Sequence, residues 1–209
     1  MHQFDRQKFK ALLHYVCSVC PPDQVGRTKL NKAAFFSDMK WYLKTGAPLT
    51  GEVYLKQSHG PIARHMLSAL RELVDEGKLE EKQVDYYGFS KFEYHLRESV
   101  DASSFSDDQR QIIDEVAEFV CMKNTARSIS DLSHNETWRV AEPGEELPYF
   151  LATDLLDAEV DEADVGWGAE EVKKLANKKP RYRAVHPERL GPVCRELQQT
   201  RPGPKSAGR

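Results

Sequence analysis

The sequence predicts a mainly α protein of the α+β class: a compact helical domain with a short strand and a β-hairpin inserted in winged-helix-like order, followed by a charged C-terminal tail. Three observations carry this reading. Apolar residues recur at helical spacing through Phe9, Leu12, Leu13, Val16, Cys17 and Cys20, and again in several later runs. Two strand-like runs, Leu79 to Tyr86 and Lys91 to Leu96, flank Tyr87-Gly88-Phe89-Ser90. Beyond Leu156 the large apolar residues thin out and charge takes over.

In order along the chain, the first helix runs from about Phe4 to Cys20, where Pro21-Pro22 forbids continuation. Thr28 is the predicted N-cap of a second helix reaching about Lys44, with Gly46 in the left-handed C-terminal position. Leu30, Ala33, Ala34, Phe35, Phe36, Met39, Trp41 and Tyr42 lie on more than one face of it, which predicts a central helix. Gly51 to Lys56 reads as a short strand. Gly60 then sets a bend and Pro61 reads as the first residue of a third helix, where its missing N–H costs nothing. Ile62, Met66, Leu70 and Leu73 form the inward stripe of that helix. Gly77 closes it, with Leu79 placed for the accompanying apolar contact. After the hairpin, Ser106 to Gln109 fits a capping box, and Ile112, Ile113, Val116, Phe119 and Val120 carry a helix to about Met122. Thr125 or Ser128 caps a short helix with Ile129 and Leu132. Pro143-Gly144 breaks the chain before a helical segment starting at Pro148.

The domain reading is 1–156 for the helical domain, 157–177 for a partly helical acidic segment and 178–209 for a basic, Pro-rich, extended or disordered tail. Residues 157–171 hold seven acids and no base, and residues 178–209 hold nine bases against two acids. A chain of 209 residues can bury one good core with an appendage. Its 30 Lys+Arg and 33 Asp+Glu leave a net charge of -3, so no global basic field points to nucleic acid or an anionic membrane. No apolar run approaches the roughly 18 residues that span a bilayer. The expectation is a soluble cytoplasmic protein with no membrane partner, and its four cysteines are expected to be free thiols of a reducing compartment.

Candidate chemistry is sparse. His14, Cys17 and Cys20 are spaced by three and could offer soft ligands on one helix face, but zinc needs about four, and Cys121 and Cys194 stand alone. Core packing is the favoured reading of the three. His59 and His65 straddle the Gly60-Pro61 bend. His59 is expected to lend a ring nitrogen to the backbone at that turn, and His65 to sit on the exposed side of the helix beside Arg64. His134 and Trp138, four apart, would stack if one helix carried both. Phosphate-loop, dinucleotide, zinc-protease and nucleophile-elbow motifs are absent, so the reading is a non-enzyme without cofactor or metal.

The order of residues 28–97 also raises DNA binding. Residues 27–97 hold twelve bases and nine acids, and a recognition helix at 62–76 would present Arg64, His65, Ser68 and Arg71 but also Glu72, Asp75 and Glu76. Phosphate contacts normally dominate such affinity, so DNA binding by the core is not favoured, with the basic tail as a separate, non-specific route.

Lys29-Leu30-Asn31-Lys32, Phe35-Phe36-Ser37-Asp38, the Lys44 to Gly51 run, Ser58-His59-Gly60-Pro61, and Asp131-Leu132-Ser133-His134 with Trp138 occur in one order over about residues 5–155. Together they resemble the Panacea domain of the SocA-like antitoxins. On that resemblance Lys29, Leu30, Lys32, Asp38, Gly51, His59, Gly60, Pro61, Leu132, Ser133, His134 and Trp138 are structural motif positions. The resemblance implies an antitoxin of bacteria or their phages that neutralises a cognate toxin, usually encoded beside it, by protein–protein binding. It also implies one alternative, an adaptor delivering the toxin to a cytosolic protease; a second alternative, a winged-helix DNA-binding regulator, comes from the order of elements and not from the resemblance. The chain departs from the family pattern at Ala33-Ala34 and in its long tail. Candidate partner anchors are Tyr54, Tyr86, Tyr87 and Phe89 on strand and hairpin, with Arg64 and His65 beside them; the competing reading is that the aromatics cover the hairpin's inner face.

Overall fold

Asp5 opens the first helix of the computed structural model, which describes residues 3–86 and 88–155. These belong to the first, Met1–Asp157, of two compact units into which the chain divides. Tyr87, the acidic segment and the basic tail lie outside the described residues. In α1 (Arg6–Val19) the Asp5 carboxylate accepts the Lys8 N–H at 2.9 Å, and Pro21 follows directly on the Cys20 cap. Phe9, Leu12, Leu13 and Val16 on its inner face are wholly buried. Each such side chain contributes roughly 1.5–3 kcal/mol relative to exposure.

Helix α2 (Arg27–Thr45) starts from Gly26 rather than from the expected Thr28. The reason is tertiary: a side chain on Gly26 would press against the Phe92 carbonyl at 3.2 Å, so the approach of the later hairpin sets where the helix begins. Gly46 ends it in the left-handed conformation, φ 73°, as expected. Leu30, Ala33, Ala34, Phe35 and Met39 are buried, and so are Asn31, Lys32, Ser37 and Asp38. Burial therefore runs round most of the helix, which is central as its apolar pattern predicts.

The segment after α2 departs from expectation. Pro61 does not begin a helix. It lies in a strand, β2 (Gly60–Ala63), paired antiparallel with β1 (Tyr54–Gln57) in the register Tyr54↔Ala63 to Gln57↔Gly60. Proline is tolerated there because β2 is a sheet edge with no strand on its other side. That side is covered by α2: the Asn31 amide donates to the Pro61 carbonyl at 2.8 Å and accepts the Ala63 N–H at 2.9 Å, standing in for a neighbouring strand. Ile62, assigned by periodicity to an inward stripe, instead points outward on β2. Helix α3 (Met66–Asp75) begins only after His65 and buries Met66, Ala69, Leu70 and Leu73. Arg6 and Lys10 of α1 bind Glu72 and Glu76 of α3, fastening the two helices.

Strands β3 (Leu79–Tyr86) and β4 (Phe89–Leu96) form the expected hairpin, paired from Leu79↔Leu96 to Tyr86↔Phe89. The predicted capping box appears at Ser106 and Gln109, opening α4 (Asp107–Ala117), which continues as a π-helical turn over Glu118–Met122. Thr125, answered by Ser128, caps α5 (Ala126–Leu132), and Asn135 caps α6 (Glu136–Val140). A two-residue strand, β5 (Glu146–Leu147), which periodicity does not reveal, pairs with β1 before a 3₁₀ segment, Tyr149–Leu155. The order helix, strand, helix, hairpin thus holds along the chain, but β1 joins β2 and β5 while β3 and β4 form a separate sheet.

One residue sits where three elements meet. Gly60 has φ 91°, and a Cβ there would overlap Ser133 Oγ and stand 2.5 Å from Lys32 Nζ. Gly46 has a similar φ but faces open space. Gly46→Ala should therefore cost only its left-handed strain, roughly 1 kcal/mol, whereas Gly60→Ala should cost about 3 kcal/mol or more by adding a clash in the core. Urea unfolding of both variants measures the difference.

Candidate partner-binding surface

Most motif positions resolve into a buried polar frame. Leu30 is core, and Lys29, in the first turn of α2, reaches the Cys121 carbonyl at 2.8 Å. Lys32 is 1% exposed and its ammonium meets the Pro61 carbonyl at 3.1 Å, with no carboxylate paired to it among the described residues. Burial pushes its pKa down to about 7. Asp38, wholly buried, accepts the Thr50 N–H at 2.7 Å, the Thr50 hydroxyl at 2.6 Å and the Tyr54 hydroxyl at 2.7 Å. Burial raises its carboxyl to about 6 despite these donors. Gly51 lies so close to the Gln3 carbonyl that a Cβ would collide with it. Ser133, buried, donates to the Ser130 carbonyl at 2.6 Å.

His134 and Trp138 stack at 3.8 Å between centroids with planes 11° apart. They do so without a shared helix: His134 lies between α5 and α6. Lys56 caps the stack, its ammonium 4.7 Å from the Trp138 ring and bonded to the Arg139 and Ala141 carbonyls. Burial, then the nearby Lys32 charge, lowers the His134 pKa. Two motif positions are not in the frame. Leu132 is exposed, and His59 is exposed at the β1–β2 turn, where its ring makes no hydrogen bond among the described residues. The expected turn-stabilising role of His59 therefore fails, because the left-handed Gly60 forms the bend by itself.

The expected anchors do not form one patch. Tyr54 is a core residue tied to Asp38, not a surface anchor, because the alternation of β1 turns it inward against Phe35. His65 is no exposed neighbour of Arg64. Its ring stacks on Phe4 at 4.4 Å and its Nδ1 lies 3.0 Å from the buried Glu52 carboxylate, which burial pushes up and His65 pulls down. Arg64 is exposed but paired with Glu146 at 2.5 Å. With α3 starting at Met66, neither Arg64 nor His65 belongs to a recognition helix, and Glu72 and Glu76 are committed to α1. His14, Cys17 and Cys20 are buried in the core with Cys121 beside Cys20, and among the described residues no group of three or more His, Cys, Asp and Glu is arranged to hold a metal ion.

Among the described residues, Tyr86 and Phe89 are the expected aromatic anchors that do reach solvent, 56% and 76% exposed. They line a cleft of about 810 Å³ between the hairpin, the start of α2 and the 121–127 segment, which joins the π-helical turn to the start of α5. Met122, also in this cleft, is 60% exposed. A second, larger groove of about 880 Å³ runs between α2 and α4 past Phe36, Phe119 and Leu132. Phe119, placed by periodicity among the apolar residues of its helix, is 41% exposed at the edge of the buried face formed by Ile112, Ile113, Val116 and Val120.

The scaffold is thus a small α+β fold with most of its polar motif residues buried and two exposed aromatics, Tyr86 and Phe89, at the hairpin. The family model for the antitoxin SocA-like, Panacea domain matches residues 30–139, more than half of the 209. The chain belongs to this SocA-like antitoxin family, and an antitoxin role with a toxin as partner follows from that membership. No curated protein and no solved structure matches it. Among the described residues no helix is long and apolar enough to cross a membrane.

Lys32 gives the frame a pH signature. Between its folded value of about 7 and the free lysine value of 10.5, the unfolded chain holds a proton there that the folded chain does not. Stability should therefore rise with pH across this window, by up to about 1.4 kcal/mol per unit. Lys32→Met, which keeps the stem and removes the amine, should flatten that rise in urea unfolding at pH 7, 8 and 9 relative to wild type.

Proposed function

We propose that the chain neutralises a cognate toxin, encoded beside it, by direct protein–protein binding in the cytoplasm, with residues 1–156 as the antitoxin domain and no chemistry of its own. The observation that carries this reading is the division between frame and surface. Asp38, Glu52 and Lys32, the groups whose pKa values are most open to catalytic use, are buried and engaged in structural bonds: Asp38 and Lys32 hold α2 to its neighbours and Glu52 holds His65. Large apolar side chains at the hairpin tip and on the adjoining turn stand in water instead. Exposed aromatics beside a concave surface are the composition from which tight interfaces draw most of their energy.

Delivery to a protease and operator binding are the competing modes, and no feature of the described residues favours either. α3, the helix that a winged-helix order would place as the reader, exposes Leu67, Ser68, Arg71 and Asp75, a face without net positive charge.

The neighbouring open reading frame, expressed alone, should arrest growth, and co-expression with this chain should restore it. The two proteins should then co-purify as a complex, and pulse-chase should give the toxin the same or a longer half-life when this chain is present. A toxin that stays lethal while this chain accumulates, or one whose lifetime shortens, contradicts neutralisation by binding.

A further inference from the structure

We infer that the toxin docks in the cleft between the tip of the β3–β4 hairpin, the start of α2 and the 121–127 segment at the α4–α5 junction, through a segment that carries carboxylates beside an aromatic or aliphatic anchor. This rests on the antitoxin reading and adds to it a place and a partner chemistry.

Charge is the first ground. Five basic side chains line the cleft against two acids, Asp23 and Glu93. Some are already compensated. Arg27 lies over the Phe92 ring at 4.0 Å and bonds Glu81, and Lys123 pairs with Glu118 at 2.9 Å. Lys91 holds the Asp23 carbonyl and shares Glu93 at 3.2 Å. Lys29 and Arg127 remain without a carboxylate partner among the described residues, and Arg127 is exposed. The 19-residue α2 adds its positive end to the same place. Its first turn has neither an acidic residue nor a side-chain cap, and Gly26 to Lys29 line the cleft.

The second ground is apolar. Tyr86, Phe89 and Met122 are more than half exposed around this positive floor, and cover for them would remove the cost of keeping them in water. An acidic segment with an embedded apolar anchor satisfies both features. Nucleic acid satisfies them less well: phosphate-driven affinity needs many uncompensated bases, and here Glu81, Glu93, Glu118 and Asp23 surround the few that remain. The α2–α4 groove is larger, but its lysines are closed by partners of its own, Lys40 with Glu115 and Lys44 with Asp108, so it carries no comparable charge signal.

The test uses the full chain and the protein encoded beside it, with Kd measured by titration at two salt concentrations. Lys91→Glu/Arg127→Glu should weaken binding by at least about tenfold and lose the salt dependence of wild type, since rim charges act chiefly through encounter. Phe89→Ala should weaken it by about tenfold or more with salt dependence intact. Lys40→Glu/Lys44→Glu, the same charge change at the other groove, should leave Kd unchanged. Arg127→Glu alone, at an exposed position without an ion pair, keeps the inference testable if the double variant fails to fold.

Unchanged affinity in both cleft variants overturns the inference while leaving the antitoxin reading in place. So does a loss confined to the groove variant. If wild type binds a mixed-sequence oligonucleotide and the cleft variants abolish that binding while still neutralising the toxin, the cleft belongs to nucleic acid and the inference also fails. Absence of any wild-type binding to the neighbour's product overturns the antitoxin reading itself.

Discussion

Helix α2 and the Gly60-Pro61 backbone lie closer together than any side chain at position 60 would allow. Asn31 completes the hydrogen bonds of the β2 edge, Lys32 reaches the same Pro61 carbonyl, and Ser133 and His134 close over Gly60 from the α5–α6 connection. Three segments far apart in the chain thus share one point of contact. The strand register, the start of α3 and the seat of the His134–Trp138 stack follow from it, because shifting any one segment would strip a buried donor or acceptor of its partner. Such a loss costs about 1–3 kcal/mol per group, a large fraction of a domain's net stability.

The same closeness explains why the frame tolerates costly buried groups. Lys32 and Asp38 are both on α2 and both buried, yet no ion pair joins them; each is pushed toward its neutral form. Replacing buried charges by apolar groups of similar size is often neutral or stabilising, so stability alone does not account for them. What the polar residues add is uniqueness. Asp38 gathers Thr50 and Tyr54, Glu52 gathers Val53 and His65, and Tyr149 returns to the Glu52 carbonyl at 2.8 Å, so the 50–54 segment has a single satisfied arrangement against α2.

With the interior so committed, the variable business of recognition is left to the surface. The hairpin is tied to the body through Tyr94 and Arg27 at its base, and its tip is free to present Tyr86 and Phe89. A rigid base under an exposed aromatic tip suits recognition, since the anchors lose little conformational freedom on binding.

Much of the fold was legible in the residues themselves. Helical spacing located α1, α2 and α4; Ser106, Thr125, Gly46 and Gly77 marked ends that the structure shares; the Leu79–Leu96 hairpin followed from alternation and Gly88; and the ordered motifs identified the family. Of the site, Tyr86 and Phe89 were legible and the cleft around them was not. Sequence by itself determined what depends on neighbours within a few residues: periodicity, caps, turns and the identity of the motifs. Tertiary structure alone decided that Pro61 is an edge strand and not a helix start, that Tyr54 is buried, and that His65 answers Glu52. The physical reason is that these outcomes depend on a partner distant in the chain. Asn31 selects the fate of Pro61 and Asp38 that of Tyr54, and no local pattern records them.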